Sequence, residues 1–246
     1  MSDTSPNLSA VDVFLKSWRT YQDIIEYNYM FHREISDSVR TALVNFRPHE
    51  KIFILDLGCG DGSMTLRLVN SDRIASYIGC DLSKPALDIA KAQIKSLGIP
   101  AQLICEDMLH VVKEQPENSV DLVLCSYALH HLNANQKKHM IEQIRRILSP
   151  NGRLVLIDIF REPHEDRAAY IRNYMEHLKK TWIHLSFEAQ ALIVDHATTY
   201  DFPEHPEFYQ TLLKKSGLSS AQRLAKHTWH EAWLAINRIE DSMLRV

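Results

Sequence analysis

The sequence predicts an α/β fold built on a doubly wound, mainly parallel sheet of seven strands. From residue 51 to residue 158, short apolar segments typical of strands buried on both faces alternate with amphipathic helical patterns. The stretch 51–62 joins the first of these strands to a helix through three glycines. Near the carboxyl end of the chain, Ser219 to Lys226 and Trp229 to Ile236 follow each other as a closing pair of strands.

The glycine turn is the most informative stretch of the chain. Asp56 interrupts the apolar strand 52–57, and Gly58, Gly60 and Gly62 follow at alternate positions. A strand, a glycine turn and a helix together form a nucleotide-sized crevice at the carboxyl edge of an open sheet. The dinucleotide pattern is G-x-G-x-x-G, whereas here the spacing is G-x-G-x-G. An acid two residues before the first glycine would repel a pyrophosphate but attract an ammonium group.

The segment Asp56-Leu-Gly-Cys-Gly-Asp-Gly62 resembles motif I of the class I S-adenosylmethionine-dependent methyltransferases. In that family the acid and the glycines hold the methionine end of the cofactor. The resemblance extends over residues 51–158 and includes Ser-Pro-Asn-Gly-Arg-Leu-Val-Leu-Ile-Asp158. It implies S-adenosylmethionine as the cofactor and a Rossmann-like methyltransferase fold.

Two further acids fit this cofactor. Asp81 ends the second predicted strand, about 20 residues past the glycine turn, where an acid can accept both ribose hydroxyls. The family places an acid beside the adenine amino group after the third strand, and Asp107 matches that position. Met108 or Leu109 would pack on the adenine ring. Asp107 can also serve as a helix N-cap, and the two roles are compatible.

The cofactor contacts implied by the resemblance are Asp56, Gly58, Cys59, Gly60, Asp81, Leu82, Asp107, Met108, Ser126, Tyr21 and Arg33.

The fourth strand leads into Ser126-Tyr-Ala-Leu-His-His131-Leu, where the family's region IV faces the transferred methyl group. The stretch has no Asn-Pro-Pro-Tyr or Asp-Pro-Pro-Tyr, and its A-L-H-H-L is similar to many small-molecule methyltransferases. This favours methyl transfer to oxygen, nitrogen or sulfur of a free metabolite. A phenol or alcohol acceptor needs a base, and histidine suits that role. The first candidates are His131 and His130, one of which can instead pack beneath the loop, and the next are His32 or a histidine of the cap.

The chain is expected to form one domain with four parts. Helical patterns over residues 9–28, starting from a capping box at Ser9, and over 31–46 form a lid within 1–50. In the family such helices fold over the cofactor. Four side chains of the lid can therefore contact the cofactor or the substrate, or they can serve only to pack the lid: Tyr21, Tyr29, His32 and Arg33. The cofactor-binding core covers residues 51–158. A cap that recognises the substrate covers residues 159–206, and the closing helix and strand pair cover residues 207–246.

Histidines and cysteines do not form a recognisable metal motif. Seven of the 13 histidines lie beyond residue 160, and His177 and His184 would share one face if both lay on a helix. The sequence lacks H-x-x-x-H, H-E-x-x-H and C-x-x-C, so no metal site is predicted. Cys59, Cys80, Cys105 and Cys125 each fall at or just past a strand end and are expected to be small apolar fillers.

Composition supports an ordinary globular enzyme. The 246 residues are 45% hydrophobic and 24% charged, and the net charge of -3 gives no reason to expect nucleic acid or an anionic membrane as a partner. The first residues lack the features of a signal peptide, and no apolar run approaches a membrane span of roughly 20 residues. We expect a cytoplasmic protein with a small-molecule substrate, and a homodimer is one option for its assembly.

Three other functions fit the pattern less fully. The same pocket can serve an enzyme that transfers a different group from a modified S-adenosylmethionine, for which Arg33 or Arg161 would pair with an added carboxylate. The three acids can also belong to a non-catalytic cofactor-binding partner subunit, since they hold cofactor rather than perform chemistry. An NAD-dependent oxidoreductase is disfavoured by Asp56 and by the glycine spacing.

Overall fold

The computed structural model describes residues 20–238 of the chain. A first helix, α1, covers residues 20–26, and its predicted beginning at Ser9 lies outside the described residues. The later helices are α2 (His32–Leu43), α3 (Ser63–Leu68), α4 (Lys84–Ser96), α5 (Met108–Glu114), α6 (Ala134–Ile147), α7 (Arg167–Thr181), α8 (Phe187–Tyr200) and α9 (Pro206–Lys215). The strands are β1 (Ile52–Leu57), β2 (Ile74–Cys80), β3 (Ala101–Ile104), β4 (Val120–Ser126), β5 (Leu148–Ile159), β6 (Ser219–His227) and β7 (His230–Ile236).

The seven strands form one sheet in the order β3-β2-β1-β4-β5-β7-β6. β1 pairs in parallel with β2 and β4, and the parallel pairing continues to β3 on one side and β5 on the other. β7 is antiparallel to β5 and to β6. The predicted fold class is therefore confirmed. The strand order reverses between β1 and β4, and this switch point is where an open α/β sheet binds its ligand.

Each face of the sheet has its own hydrophobic core, because successive side chains of a strand point to opposite faces. Ile54 of β1 packs with residues of α2, α4 and α7, including Ile35, Ala90 and Leu178. Its neighbour Leu55 packs on the other face with residues of α5, α6 and α9. Both Ile54 and Leu55 are fully buried. The continuous apolar pattern of the central strands follows from this double coverage.

Helix boundaries follow the local sequence signals. Ser83 caps α4 by accepting a hydrogen bond from the N–H of Ala86, and Pro85 lies in the first turn; both residue types are sequence signals of a helix start. Asn133 and Gln136 form a capping box at the start of α6. Gly217, with a φ of 82°, follows the end of α9.

The residues Ser149-Pro-Asn-Gly152 are typical of a turn and predict that the fifth strand starts at Arg153, but the strand differs from this prediction. It begins at Leu148, which pairs with Val120, and the next paired residue, Arg153, lies opposite Leu122. The intervening residues are an irregularity in the pairing, with Asn151 at a φ of 60°. The turn-forming residues therefore bend a strand that continues through them.

The cap consists of α7 and α8 and covers the carboxyl end of β4. The backbone N–H of Phe202 donates to the carbonyl oxygen of His130 at 2.7 Å, which ties the end of the cap to the loop after β4. His177 and His184 do not share a helix face, because α7 ends at Thr181. His177 packs against Trp229, while His184 stacks on Tyr27. Within the described residues, no helix has both the length and the apolar character needed to cross a bilayer.

Asp121 is expected to stabilise the amino edge of the sheet. Its carboxylate accepts from the N–H of Phe53 at 2.9 Å and from the hydroxyl of Ser149 at 2.8 Å, and lies 2.9 Å from Arg47 Nη1. The change Asp121→Ala should lower the free energy of unfolding by about 2 kcal/mol, because the partly buried partners lose a charged acceptor.

Urea unfolding measures the effect of Asp121→Ala. The matched control is Asp37→Ala, which removes the exposed pair of Asp37 with Arg40 and should change the free energy of unfolding by less than about 0.5 kcal/mol. Equal losses in the two variants would contradict the stabilising role of Asp121.

Candidate active site

The turn that follows β1 is tight and is held against the second strand. The backbone N–H groups of Gly58 and Cys59 both donate to the carbonyl oxygen of Cys80, at 2.9 Å each. Gly58 has a φ of 72°, and a Cβ atom on it would lie 2.6 Å from the Cβ of Ala128 in the loop after β4. Both the left-handed backbone and this close approach require glycine. The turn therefore exposes backbone, without a side chain, to the crevice at the switch point.

Asp56 is a buried carboxylate at the end of β1. Its Oδ2 accepts from the hydroxyls of Thr65 at 2.7 Å and Tyr77 at 3.0 Å. Its Oδ1 is buried and has no hydrogen-bond partner among the described residues. Burial raises the pKa of Asp56 to about 7, although the two hydroxyl donors oppose this shift. An unpaired buried oxygen of this kind suits a cationic donor such as an ammonium group.

Asp81 connects the glycine turn to the helix that follows β2. One carboxylate oxygen accepts from the N–H of Gly60 and the other from the N–H of Ser83, at 2.8 Å each. Burial raises the pKa of Asp81, while these two backbone donors oppose the rise. Each ionised oxygen has further acceptor capacity, so the carboxylate can still receive two ribose hydroxyls.

The predicted adenine region lies at the ends of β2 and β3. Asp107 caps α5 by accepting a hydrogen bond from the N–H of Leu109 at 2.7 Å, which is one of its two predicted roles. Met108 is the first residue of that helix. Leu82, next to Asp81, has an exposed fraction of 39%, which is high for a leucine and suits an apolar contact with a planar base. The contacts of Asp107, Met108 and Leu82 with adenine remain predictions.

One cavity lies at the glycine turn. The predicted cofactor residues that line it are Tyr21, Asp56, Gly58, Cys59, Gly60 and Ser126. His32 and Arg67 line it as well.

Burial and the nearby Arg67 lower the pKa of His32 to about 4, and neither of its ring nitrogens has a hydrogen-bond partner in the described part of the chain. A histidine with so low a pKa accepts a proton poorly near neutral pH, which disfavours the predicted base role of His32.

A second cavity, of about 100 Å³, adjoins the first at Tyr21, which lines both. Most of its wall is apolar and comes from α1, the end of β5 and the two cap helices, with Trp182 and Leu192 among its residues. Its polar groups are mainly His130, His131, His196 and Asp201. The cavity therefore suits a small, largely apolar molecule with one polar end.

The polar groups of this second cavity form a connected cluster. His130 Nδ1 lies 2.5 Å from Asp158 Oδ1, at the end of β5. Asp201, which follows α8, places its Oδ1 3.3 Å from His131 Nδ1 and 3.7 Å from both His130 Nε2 and His196 Nε2. His130, Asp158 and Asp201 are buried, whereas the side chain of His131 is 27% exposed. His131 is thus the most accessible member of the cluster.

The charges in the cluster shift one another's pKa values. Burial acts to raise the pKa of Asp201, but His130, His131 and His196 more than offset this and hold it well below its usual range. Burial acts to lower the pKa of His130, but Asp158 and Asp201 outweigh it and the net shift is upward. Burial and the neighbouring His131 lower the pKa of His196 to about 4. The cavity therefore holds an ionised carboxylate among imidazoles of different basicity.

The structure gives no support for a cofactor contact by Arg33. It is predicted to contact the cofactor, but its side chain is exposed, its Nη2 donates to the carbonyl oxygen of Glu26 at 2.8 Å, and it lines neither cavity. Arg33 follows His32 on α2, and consecutive helical residues point in different directions, so only His32 faces the cavity. Tyr29 also lies away from both cavities, with its hydroxyl 2.8 Å from His184 Nδ1.

Of the four cysteines, all free, only Cys105 is exposed.

Sequence reasoning missed two acids of the cluster. Asp158 interrupts the apolar run 154–159 at the end of β5, which lies next to β4, and this position was an available signal. Asp201 had no local signal, because only the packing of α8 brings it to His130 and His131. Arg67 of α3, which lines the first cavity, was also missed.

The residues at the switch point fit S-adenosylmethionine. The orphaned oxygen of Asp56 suits the cofactor's ammonium group, Asp81 suits its ribose, and Gly58 lines the same cavity with backbone alone. These features come from three different parts of the chain that the fold brings to one crevice.

Comparisons with known proteins agree with this geometry. A family model described as a methyltransferase domain matches residues 54–152. A carboxy-S-adenosyl-L-methionine synthase from Pasteurella multocida is 27% identical over 132 residues, which cover 52% of this chain and 53% of that protein. The chain thus spans about half the length of that relative. An uncharacterized methyltransferase from Anoxybacillus flavithermus is 23% identical over 195 residues, covering 79% of this chain and 85% of that protein.

Among solved structures, a SAM-dependent methyltransferase from Leishmania major superposes with a TM-score of 0.64 at 15% identity, covering 93% of this chain and 81% of that one. This likeness concerns the fold. The family model over residues 54–152, which is less than half of the chain, and the motifs at the switch point support a class I S-adenosylmethionine-dependent methyltransferase.

Proposed function

We propose that this protein transfers a methyl group from S-adenosylmethionine to an oxygen, nitrogen or sulfur atom of a small molecule. The observation that carries the proposal is the cavity of about 100 Å³ that adjoins the cofactor cavity at Tyr21 and has a histidine and aspartate cluster at its polar end. On the same scale a single water needs roughly 10–15 Å³, so the space suits a compact metabolite rather than a polymer.

The cofactor supplies a methyl group already activated by a positive sulfur, and the acceptor displaces the thioether in line. The protein's main task is therefore to position the two molecules. Asp56 binds the ammonium group, Asp81 holds the ribose, and the apolar wall around Trp182 orients the acceptor. His131 and Asp201 contact the acceptor's polar atom and favour the loss of its proton where that atom is a hydroxyl.

His130 has a supporting role in this proposal. Its imidazole lies between the carboxylates of Asp158 and Asp201, which raise its pKa. The side chain of His130 fixes the position of Asp201 against His131. The backbone of His130 is held as well, because its carbonyl oxygen accepts a hydrogen bond from the N–H of Phe202. The cluster therefore keeps its geometry when the acceptor enters.

Transfer of a different group from a modified cofactor finds less support. That chemistry was expected to need Arg33 or Arg161 for an added carboxylate, but Arg33 lines neither cavity and Arg161 pairs with Glu204 at 3.0 Å. This alternative is nevertheless worth testing, because the Pasteurella relative is named a carboxy-S-adenosyl-L-methionine synthase. Mass spectrometry of the ligand that copurifies with the protein should show S-adenosylmethionine or S-adenosylhomocysteine without an added carboxyl group.

The cytoplasmic location and the homodimer stay predictions from the sequence.

A panel assay tests the proposed function. The protein is incubated with methyl-labelled S-adenosylmethionine and a set of small phenols, alcohols, amines and thiols, and methylated products are detected by mass spectrometry. We expect transfer to at least one of these compounds by the wild type, and none by Asp81→Ala, which loses the ribose contact. Transfer to RNA or protein alone would contradict the small-molecule proposal.

The affinity for the cofactor product should increase with pH. Below its pKa of about 7, Asp56 is neutral and attracts the ligand's ammonium group weakly, whereas above it the carboxylate is ionised. We expect the affinity for S-adenosylhomocysteine to rise by up to about tenfold per pH unit below that pKa and to level off above it.

Calorimetric titrations between about pH 6 and pH 8 measure this dependence. The control, Asp56→Asn, keeps acceptor capacity for Thr65 and Tyr77 but cannot ionise, so its affinity should be low and nearly independent of pH. A wild-type affinity that stays constant or falls over this range would contradict the role of Asp56.

His131 should affect turnover and not cofactor affinity. With a phenol or alcohol acceptor from the panel, His131→Ala is expected to lower kcat about 100-fold, because the acceptor keeps its proton. The affinity for S-adenosylhomocysteine should change less than twofold, since His131 does not line the cofactor cavity. Steady-state kinetics and calorimetry give the two values, with the exposed His110→Ala as the control. A full rate in His131→Ala would exclude the assigned role.

A further inference from the structure

Three imidazoles surround one buried carboxylate oxygen, at long contact distances. Asp201 Oδ1 lies 3.3 Å from His131 Nδ1 and 3.7 Å from His130 Nε2. A hydrogen bond between nitrogen and oxygen measures roughly 2.7–3.2 Å. Asp201 Oδ1 itself has no hydrogen-bond partner in the described part of the chain. A buried carboxylate oxygen with only long contacts has acceptor capacity left for a ligand or an ion.

The spacing is that of ligand atoms arranged around a metal ion. Bonds of about 2.1 Å in a tetrahedral site place neighbouring ligand atoms about 3.4 Å from each other. The three possible ligand atoms of His130, His131 and Asp201 all lie within 4.8 Å of one another. A small inward movement of the side chain of His131, which is 27% exposed, would bring the set to bonding distance.

Asp158 prepares His130 for this role. Its Oδ1 accepts from the N–H of Ile159 at 2.9 Å and lies 2.5 Å from His130 Nδ1. A hydrogen bond from Nδ1–H to a carboxylate fixes the tautomer whose Nε2 carries a lone pair, and here Nε2 is the nitrogen on the side of Asp201. Metal-bound histidines in proteins are held in this way by a carboxylate behind the ring.

We propose that His130 Nε2, His131 Nδ1 and Asp201 Oδ1 bind one divalent transition-metal ion at the polar end of the acceptor cavity. Two imidazoles and one carboxylate favour zinc, cobalt or iron over magnesium, which prefers a full set of oxygen ligands. His196, whose Nε2 lies 3.7 Å from Asp201 Oδ1, borders the site. The local motifs sought in the sequence cannot reveal this set, since Asp201 is 70 residues beyond His131.

The role of the ion rests on the proposed function. Three protein ligands leave a position open toward the cavity, as in catalytic metal sites. A hydroxyl of the acceptor that binds there becomes more acidic and releases its proton to solvent water. The oxygen then forms a bond to the methyl carbon while the carbon–sulfur bond breaks and its electron pair returns to sulfur. The chemical class of acceptor is thus a phenol or alcohol whose oxygen can bind a metal.

Metal binding is measured on tag-free, full-length protein that has been treated with a chelator and dialysed. Zinc and cobalt are titrated separately by calorimetry, with magnesium as a comparison, and cobalt binding is also followed by visible absorption. We expect one equivalent of zinc or cobalt with a Kd below about 10 μM and tetrahedral cobalt bands, and no comparable binding of magnesium. No acceptor or methyl transfer is needed, so this result is independent of the activity assay.

Two variants and one control localise the ion. His131→Ala should weaken cobalt binding at least 100-fold by removing a ligand, and Asp158→Asn should weaken it about tenfold by removing the charge behind His130. His110→Ala removes an exposed histidine paired with Glu106 at 2.6 Å and should bind like the wild type. Circular dichroism and the affinity for S-adenosylhomocysteine verify that each variant is folded.

The proposal is overturned if the wild type shows no stoichiometric zinc or cobalt binding, or if His131→Ala binds as tightly as His110→Ala. It is also overturned if magnesium binds and the transition metals do not. Methyl transfer by the chelated protein, together with stoichiometric metal binding, would leave the site in place but remove its assigned part in the reaction. Metal binding with no methyl transfer to any acceptor would instead contradict the proposed function.

Discussion

The contact between Gly58 and Ala128 determines how the two halves of the site meet. The glycine turn belongs to the cofactor side, and Ala128 belongs to the loop that carries His130 and His131. Because a Cβ on Gly58 would lie 2.6 Å from the Cβ of Ala128, the two loops touch without any side chain between them. The cofactor cavity and the acceptor cavity are therefore adjacent, and Tyr21 lines both. Any larger residue at position 58 would clash with Ala128 and force the two loops apart.

The loop after β4 has an unusual backbone that serves this arrangement. Tyr127 has a φ of 53°, a left-handed value that is uncommon for residues other than glycine. Its N–H donates to the carbonyl oxygen of Ile157 at 2.7 Å and its hydroxyl to that of Met30 at 2.5 Å. These bonds hold the strained turn in place between β5 and the residues before α2. The strain directs the chain so that His130 faces Asp158 and His131 faces the cavity.

Much of the fold and the cofactor site follows from the sequence, because their signals are local. The glycine turn after β1, Asp81 at the end of β2 and Asp107 before α5 each lie beside a strand end that periodicity identifies. Parallel strands bring their carboxyl ends to one edge, so these residues converge without further information. The same reasoning placed the closing pair of strands, since β6 and β7 are joined by a short turn.

Other positions were less predictable for the opposite reason. Arg33 and His32 are neighbours in the sequence, yet only one of them faces a cavity, and helix orientation decides which. The start of β5 was misplaced because Pro150 and Asn151 are typical of a turn, whereas pairing with β4 continues past them. Asp201 comes close to His130 and His131 only because the two cap helices pack on the core. Such positions depend on tertiary contacts between segments that have no shared local pattern.

The polar cluster is divided between two parts of the molecule, and this division has a consequence for function. His130 and His131 belong to the core, whereas Asp201 and His196 belong to the cap. Arg167 of α7 donates to the carbonyl oxygens of Asp201, at 2.7 Å, and of Thr198, at 2.5 Å, so the cap helices themselves set the position of Asp201. The cluster is therefore complete only when the cap lies on the core. The same cap supplies much of the apolar wall of the second cavity, so the packing of the cap on the core sets both the wall and the polar end of that cavity.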